Sequence, residues 1–431
     1  MPMRIDARLL SRIRKQFPSV EVDPSGRKRA FLDNGAGTLV TKRAAEMEYD
    51  ARINWSANVG NHFAESLGAE QIILEGRTAV ADLLNAEGPG TIITGESATS
   101  LMFSLSYALG REFEGTENVV TTGFEHYTNI NPWVELGSNG EIKELRFAEF
   151  DLETGKLDPA AVQELIDSNT KVVTVTGASN VLGTRTDLVE IGRIARDAGA
   201  YFVVDAVHHV PHAPTDVREI GCDFLIFSGY KLFSRHGSFM YAKPKHIKAL
   251  TPYRVHSAPK RGPEKWEWGT RDQASFAAIS GAVNYLAWLG NPAAKRPPKE
   301  GMQRRARLAG AFKAIERYEK ELMELALDGR GNVPGLRDIP GLRLFGPADI
   351  DKKIGRDPTF SFKLRGYEDR PLSKILWDKH RLAIGAEGYY SRVPALYNKK
   401  TMLRATFVHY NSKAEVLSLL KALEGASGRK K

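Results

Sequence analysis

The chain has 431 residues, with 61 Lys and Arg against 52 Asp and Glu, a formal net charge of +9, and 42% hydrophobic and 26% charged residues. That balance is ordinary for a globular protein long enough for a large domain and a smaller one. The positive charge favours acidic small molecules or an acidic partner, but the basic residues are dispersed and only Arg429-Lys430-Lys431 forms a run, so no nucleic-acid partner is expected. The single cysteine, Cys222, excludes an intrachain disulfide framework and any cysteine-built metal site, and it fits a reducing compartment.

In chain order, the first seventeen residues read as a basic amphipathic helix with Ile5, Leu9, Ile13 and Phe17 on one face. They lack the continuous apolar core of a signal peptide, and no apolar run anywhere approaches membrane-spanning length. A cytoplasmic protein with no membrane association is the expectation. Between 91 and 243, short apolar runs alternate with helix-like segments, placing strands at 91–93, 119–121, 142–147, 172–175, 202–204, 224–227 and 238–241. Asp158-Pro159 pairs an N-cap with proline at the first helical position, and Asp187 with Glu190 starts a helix before Ile191 and Ile194. Strands that are apolar on both faces, joined by helices, predict an α/β fold with a seven-stranded, mainly parallel sheet.

The proline-rich stretch 291–301 cannot continue a helix. After it, 302–327 reads as one long charged amphipathic helix. Strand candidates at 342–345, 359–364 and 402–408, and a helix capped by Ser412 and Glu415, predict a small α+β unit. The expected division is an N-terminal helical segment, 1–25, associated with the small domain, a large domain, 26–290, and a small C-terminal domain with its linking helix, 291–431.

Two residues carry the chemistry. Asp205 ends one apolar strand and Lys231 follows the next, and in an open α/β sheet the strand ends are where a cofactor sits. An amine able to form an imine and a carboxylate able to pair with a pyridinium nitrogen are what pyridoxal phosphate requires of a protein. No strand is followed by the glycine pattern of a nicotinamide site. The spacing His208-His209-x-x-His212 suggests a metal, but no carboxylate or cysteine stands at a companion spacing, so none is expected.

Several stretches, in one order along nearly the whole chain, carry a resemblance. They are Phe31-Leu32-Asp33-Asn34-Gly35-Ala36, Phe124-Glu125-His126-Tyr127-Thr128-Asn129-Ile130, Ser179-Asn180-Val181-Leu182-Gly183-Thr184, Asp205 through His212, Ser228-Gly229-Tyr230-Lys231, and Arg404 through Asn411. The chain resembles the class V aminotransferase family, in its cysteine desulfurase-like branch of fold type I. The resemblance implies pyridoxal phosphate as cofactor, with Lys231 as the imine-forming and proton-shuttling amine, Asp205 on the pyridine nitrogen, and His126 stacked on the ring. It puts Asn180 and His208 near the phenolic oxygen, where the family often has glutamine in place of His208, so that contact is expected to differ or to titrate. Ser97, Ala98 and Thr99, with Ser228, Tyr230 and Thr270, are expected to hold the cofactor, Thr270 from the other subunit of a homodimer. Arg404 would fork the substrate carboxylate. Asn34, Ala36, Asn58, His62, Tyr389, Tyr390 and Arg392 are expected on the substrate side.

Desulfurases of this family keep a nucleophilic cysteine on a loop that here reads 384–392, IGAEGYYSR, with none. Persulfide chemistry is therefore not expected, because it needs a thiolate. What remains is a lyase-type β-elimination at Cα and Cβ of an amino acid, with transaminase, epimerase and decarboxylative aldolase as alternatives. A binding protein that has lost activity is disfavoured by Lys231, Asp205, His126 and Arg404 standing together.

Overall fold

A computed structural model describes residues 4–291, 303–350 and 355–428. The terminal basic run, most of the proline-rich stretch and the expected helix start at 302 lie outside those residues. All seven expected strands form, and they form one sheet. Its spatial order is Ile92–Gly95, Ser238–Ala242, Phe224–Ser228, Tyr201–Asp205, Thr170–Thr176, Asn118–Thr122, Glu144–Ala148. Every pairing is parallel except those of Ser238–Ala242 with its two neighbours.

Alternation along the central strands accounts for the two-sided core. Val203, Phe224 and Ile226 pack on one face with Leu101, Leu105 and Trp133. Phe202, Val204, Leu225 and Phe227 pack on the other. Each such side chain contributes roughly 2–3 kcal/mol on burial. The expected caps are present. Asp158 accepts from the Ala160 N–H at 3.0 Å and Asp187 from the Glu190 N–H at 3.1 Å, while Ser412 and Glu415 form a reciprocal capping box.

The N-terminal helix, Ala7–Arg14, is shorter than the amphipathic pattern, because Asp6 caps it by accepting from the Leu9 N–H at 2.7 Å. Ile5, Leu9, Ile13 and Phe17 are all buried. Phe17 packs edge-on against Phe233 and Tyr285, and Arg14 donates to the Tyr410 carbonyl at 2.9 Å. The start of the chain is thus bound both to the large-sheet part, at Phe233 and Tyr285, and to the C-terminal part, at Tyr410.

The long helix runs Arg304–Asp328. A second sheet, antiparallel throughout, has the order Leu342–Phe345, Thr359–Leu364, Met402–Thr406, Gly385–Glu387. Its last strand lies where the sequence suggests a loop, since Gly-Ala-Glu has no strand preference of its own. Pairing with Met402–Arg404 supplies the order that the residues lack. Segment Ala30–Phe31 pairs parallel with Leu382–Ala383, which carries Asn34, Gly35 and Ala36 to the space between the two sheets.

Candidate active site

Strands Tyr201–Asp205 and Phe224–Ser228 are parallel neighbours, so their carboxyl ends lie side by side. Asp205 is the last residue of one, and Lys231 closes a single helical turn, Gly229–Lys231, after the other. Both are buried and line a cavity of about 230 Å³. Lys231 Nζ donates to the Gly35 carbonyl. Burial drives its ammonium form down to about 7, helped by Arg404 and opposed by Asp33 and Asp205. Burial raises the Asp205 carboxyl to about 6, although Oδ1 accepts from the Val207 N–H at 2.9 Å.

Helix Ala98–Gly110 begins at the same cavity. Ser97 Oγ takes the Ser100 N–H at 3.0 Å, while the N–H groups of Ala98 and Thr99 have no partner among the described residues. Two free amides at a helix start favour an anion. Thr99 and Thr128 exchange a hydroxyl bond of 2.8 Å, as do Ser228 and Ser238. His126 accepts from the Thr128 N–H at 3.0 Å through Nδ1, and burial pulls it down to about 4, so the imidazole facing the cavity is neutral.

Glu125, directly before it, is fully buried and pushed up to about 8 by burial, accepting from Thr122 Oγ1, Asn129 Nδ2 and the Thr176 N–H. A protonated acid under the cavity floor places no further negative charge beside Asp205.

From the C-terminal sheet, Arg404 reaches the cavity. Its Nη1 donates to the Asn180 carbonyl at 2.9 Å, its Nη2 pairs with Asp33 at 3.3 Å, and its guanidinium lies 3.9 Å from the Tyr389 ring centroid. Gly35 makes room for it, since a Cβ there would meet Arg404 at 2.8 Å. Asn180 donates to the Tyr389 carbonyl at 3.0 Å, and the Tyr127 N–H to that of Tyr390 at 2.7 Å. Both tyrosines have positive φ, 56° and 50°, which costs a side-chain-bearing residue about 1 kcal/mol each and needs such anchoring.

His208 lines the cavity and bonds Thr359 Oγ1 at 2.9 Å through Nε2. Burial holds it well below the usual histidine range, which favours the neutral ring.

Of the residues expected from sequence, Ala36, Ser97, Ala98, Thr99, His126, Asn180, Asp205, His208, Ser228, Tyr230, Lys231, Tyr389, Tyr390 and Arg404 come together in one cavity. Asn34 does not reach it. It is buried beside it, donating to the Thr406 carbonyl at 2.7 Å and to Asn411 at 3.1 Å. Asn58 and His62 are exposed and stand apart. Arg392 pairs with Glu149 at 3.0 Å and lies over Phe147. Thr270 is exposed in a separate hollow with Trp268 and Ser100.

Sequence reading missed Gly35 as a partner of Lys231, and Glu387, which lies on the unrecognised strand. It also missed that Asp357, a residue far along the chain, brings a carboxylate within 4.8 Å of ring nitrogens of His208 and His212. Those groups are already engaged. Asp357 holds Arg185 at 2.7 Å and His209 at 3.2 Å, and His212 holds Glu319 at 2.9 Å. A guanidinium on the carboxylate opposes a cation there.

A buried amine with a lowered proton affinity, a neighbouring carboxylate, a neutral imidazole and an anion-attracting helix start are the donor set that pyridoxal phosphate fits. Comparison with known proteins agrees. The family model described as Aminotransferase class-V matches residues 30–419. A probable cysteine desulfurase of Synechocystis is 29% identical over 96% of this chain and 95% of its own length, and a cysteine desulfurase of Pectobacterium atrosepticum is 26% identical over 96% and 97%. The fold matches that of a cysteine desulfurase of Thermococcus onnurineus with a TM-score of 0.84, at 24% identity, over 99% of this chain and all of the other.

Proposed function

This chain belongs to the aminotransferase class-V family of pyridoxal-phosphate-dependent enzymes, and on that premise we propose that it catalyses a lyase-type β-elimination at Cα and Cβ of an amino acid without a persulfide-forming cysteine. The observation that carries the reading is the state of the sulfur and of the loop. Cys222 is fully buried, and burial pushes its thiol far above the usual range, away from the thiolate that sulfur transfer needs. In its place the loop sets the exposed Tyr390 at the cavity edge and the buried Tyr389 over Arg404.

When bound, pyridoxal phosphate supplies an electron sink for the electron pair left at Cα. The chain's own residues do the rest. Lys231, with its amine about half neutral at pH 7 and mostly neutral above it, takes the Cα proton. With the cofactor bound, Asp205 would hold a proton on the pyridine nitrogen, His126 would offer its neutral imidazole to the ring, and the free N–H groups of Ala98 and Thr99 would hold the phosphate. Arg404 holds the α-carboxylate through its planar fork, displacing Asp33. Elimination then breaks Cα–H and Cβ–S, forms the Cα–Cβ double bond, and releases a thiol and 2-aminoacrylate, which hydrolyses to pyruvate and ammonia. We further place the enzyme in a homodimer, with Thr270 of each chain directed to the second copy's cavity, and in the cytoplasm. No described helix is long and apolar enough to cross a membrane.

The test is a panel of amino acids, cysteine conjugates foremost, mixed with the loaded protein while its visible spectrum, pyruvate, alanine and keto acids are followed. Pyruvate with released thiol, and return of the starting spectrum, supports elimination. A cofactor left in its amine form until a keto acid is added makes the protein a transaminase and overturns the proposal.

A further inference from the structure

The carboxylate of Glu387 takes no part in the chemistry above. Strand Gly385–Glu387 pairs antiparallel with Met402–Thr406, so that Gly385 faces Arg404 and Glu387 faces Met402. Cross-strand partners share a face, as do residues two apart on one strand. Glu387 and Arg404 therefore project from the same face as diagonal neighbours, with an expected spacing of about 7–8 Å. Both line the cavity.

The two differ in occupation. Arg404 is held by Asn180 and Asp33. The half-buried Glu387 carboxylate forms no hydrogen bond or ion pair among the described residues, although it is near enough to act electrostatically on Lys231 and Asp33. Beside it in the chain, Tyr390 leaves 70% of its surface exposed at the mouth, with its backbone pinned by the Tyr127 N–H. An unpaired carboxylate in a cavity wall next to an available aromatic face suits a cationic group on a ligand, through charge and through the ring's negative face.

Resting on the reading that Arg404 takes the α-carboxylate of an amino acid, we propose that Glu387 selects substrates whose side chain carries a positive charge, an ammonium or quaternary nitrogen a few bonds beyond Cβ. An amino acid held at Arg404 sends its side chain along this face, where Glu387 offers a carboxylate with no partner among the described residues. Anionic side chains meet Glu387 as a like charge and are disfavoured.

The measurement is the half-saturating concentration for the change in the visible band of the loaded protein with L-lysine, its uncharged analogue L-norleucine, and L-glutamate. Binding is thereby read apart from turnover. The wild type is expected to favour lysine over norleucine about two- to fivefold, Glu387→Gln to bring that ratio to about one, and Glu387→Lys to turn the preference towards glutamate. Spectral changes with no charge preference, or a preference that survives Glu387→Gln, overturn this inference alone. A Glu387→Gln variant that only moves the pH dependence of Lys231 also overturns it, since the carboxylate then tunes the amine and not the ligand. No response to any amino acid overturns the reading of the site, and this inference with it.

Discussion

Lys231 sits where its charge is costly and its lone pair is useful. Burial brings its ammonium form to about 7 from the ordinary lysine value of 10.5, so below pH 7 the amine is mostly protonated and above it mostly free. Capture of pyridoxal phosphate by the cofactor-free protein should accelerate about tenfold per pH unit up to pH 7 and level off above it. Stopped-flow growth of the visible band measures this, and a limb near the ordinary lysine value would show the amine to be hydrated. Lys231→Ala should abolish the band and lower turnover by about 10²–10⁴-fold. At the other extreme is Cys222, inert in the core. Cys222→Ala should cost about 1 kcal/mol of stability and leave turnover with a cysteine conjugate within twofold. A loss of turnover to the level of Lys231→Ala would return the sulfur to the mechanism.

Among the elements, the segment before strand Thr359–Leu364 carries an outsized share of the fold. Asp357 is fully buried and ionised by Arg185 and His209, and its carbonyl and that of Thr359 pass so close to Gly183 that a Cβ there would meet them at 2.6 and 2.7 Å. Gly183, at φ 77°, is required both by its conformation and by this approach. The contact fixes loop 179–184, which carries Asn180, against the strand that carries Thr359, the partner of His208. Asp357→Ala removes one of the two carboxylates on Arg185, leaving Glu316 at 3.1 Å, and takes the partner from His209, so it should lower unfolding stability by about 1.5–3 kcal/mol. Denaturant titration checks it, and a loss under about 1 kcal/mol would mean that water reaches Arg185.

For the whole molecule, the exposed apolar residues follow a pattern. Tyr49 and Ile53 lie four apart on helix Lys42–Asn54, and Leu67 and Leu74 seven apart on helix Ala64–Leu84, each pair on one exposed face. Such stripes fit the proposed homodimer better than a monomer surface. Light scattering coupled to size exclusion should give the mass of two chains, and the double variant Ile53→Glu with Leu67→Glu should shift it towards one. Thr270→Ala should weaken cofactor retention in the dimer, and unchanged retention would remove Thr270 from the site.

The seven strands, their apolar two-sidedness, the caps at Asp158, Asp187 and Ser412, and the placement of Asp205 and Lys231 at neighbouring strand ends were legible in the residues alone. Each is a local property, set by periodicity, backbone preference or strand-end position. Strand Gly385–Glu387 was not legible, because its order comes from a partner about seventeen residues away, and with it went Glu387. Nor was the exclusion of Asn34 from the cavity, which depends on hydrogen bonds to Thr406 and Asn411 across more than 370 positions. The protonation states of Lys231, His126, His208 and Glu125 belong to the same class. Most of the groups that line the cavity could be named from the residues alone, Gly35 and Glu387 among the exceptions, whereas burial and long-range contact decided which are charged, which are free, and which face the cavity. Desolvation and pairing act through space, and chain order does not encode them directly.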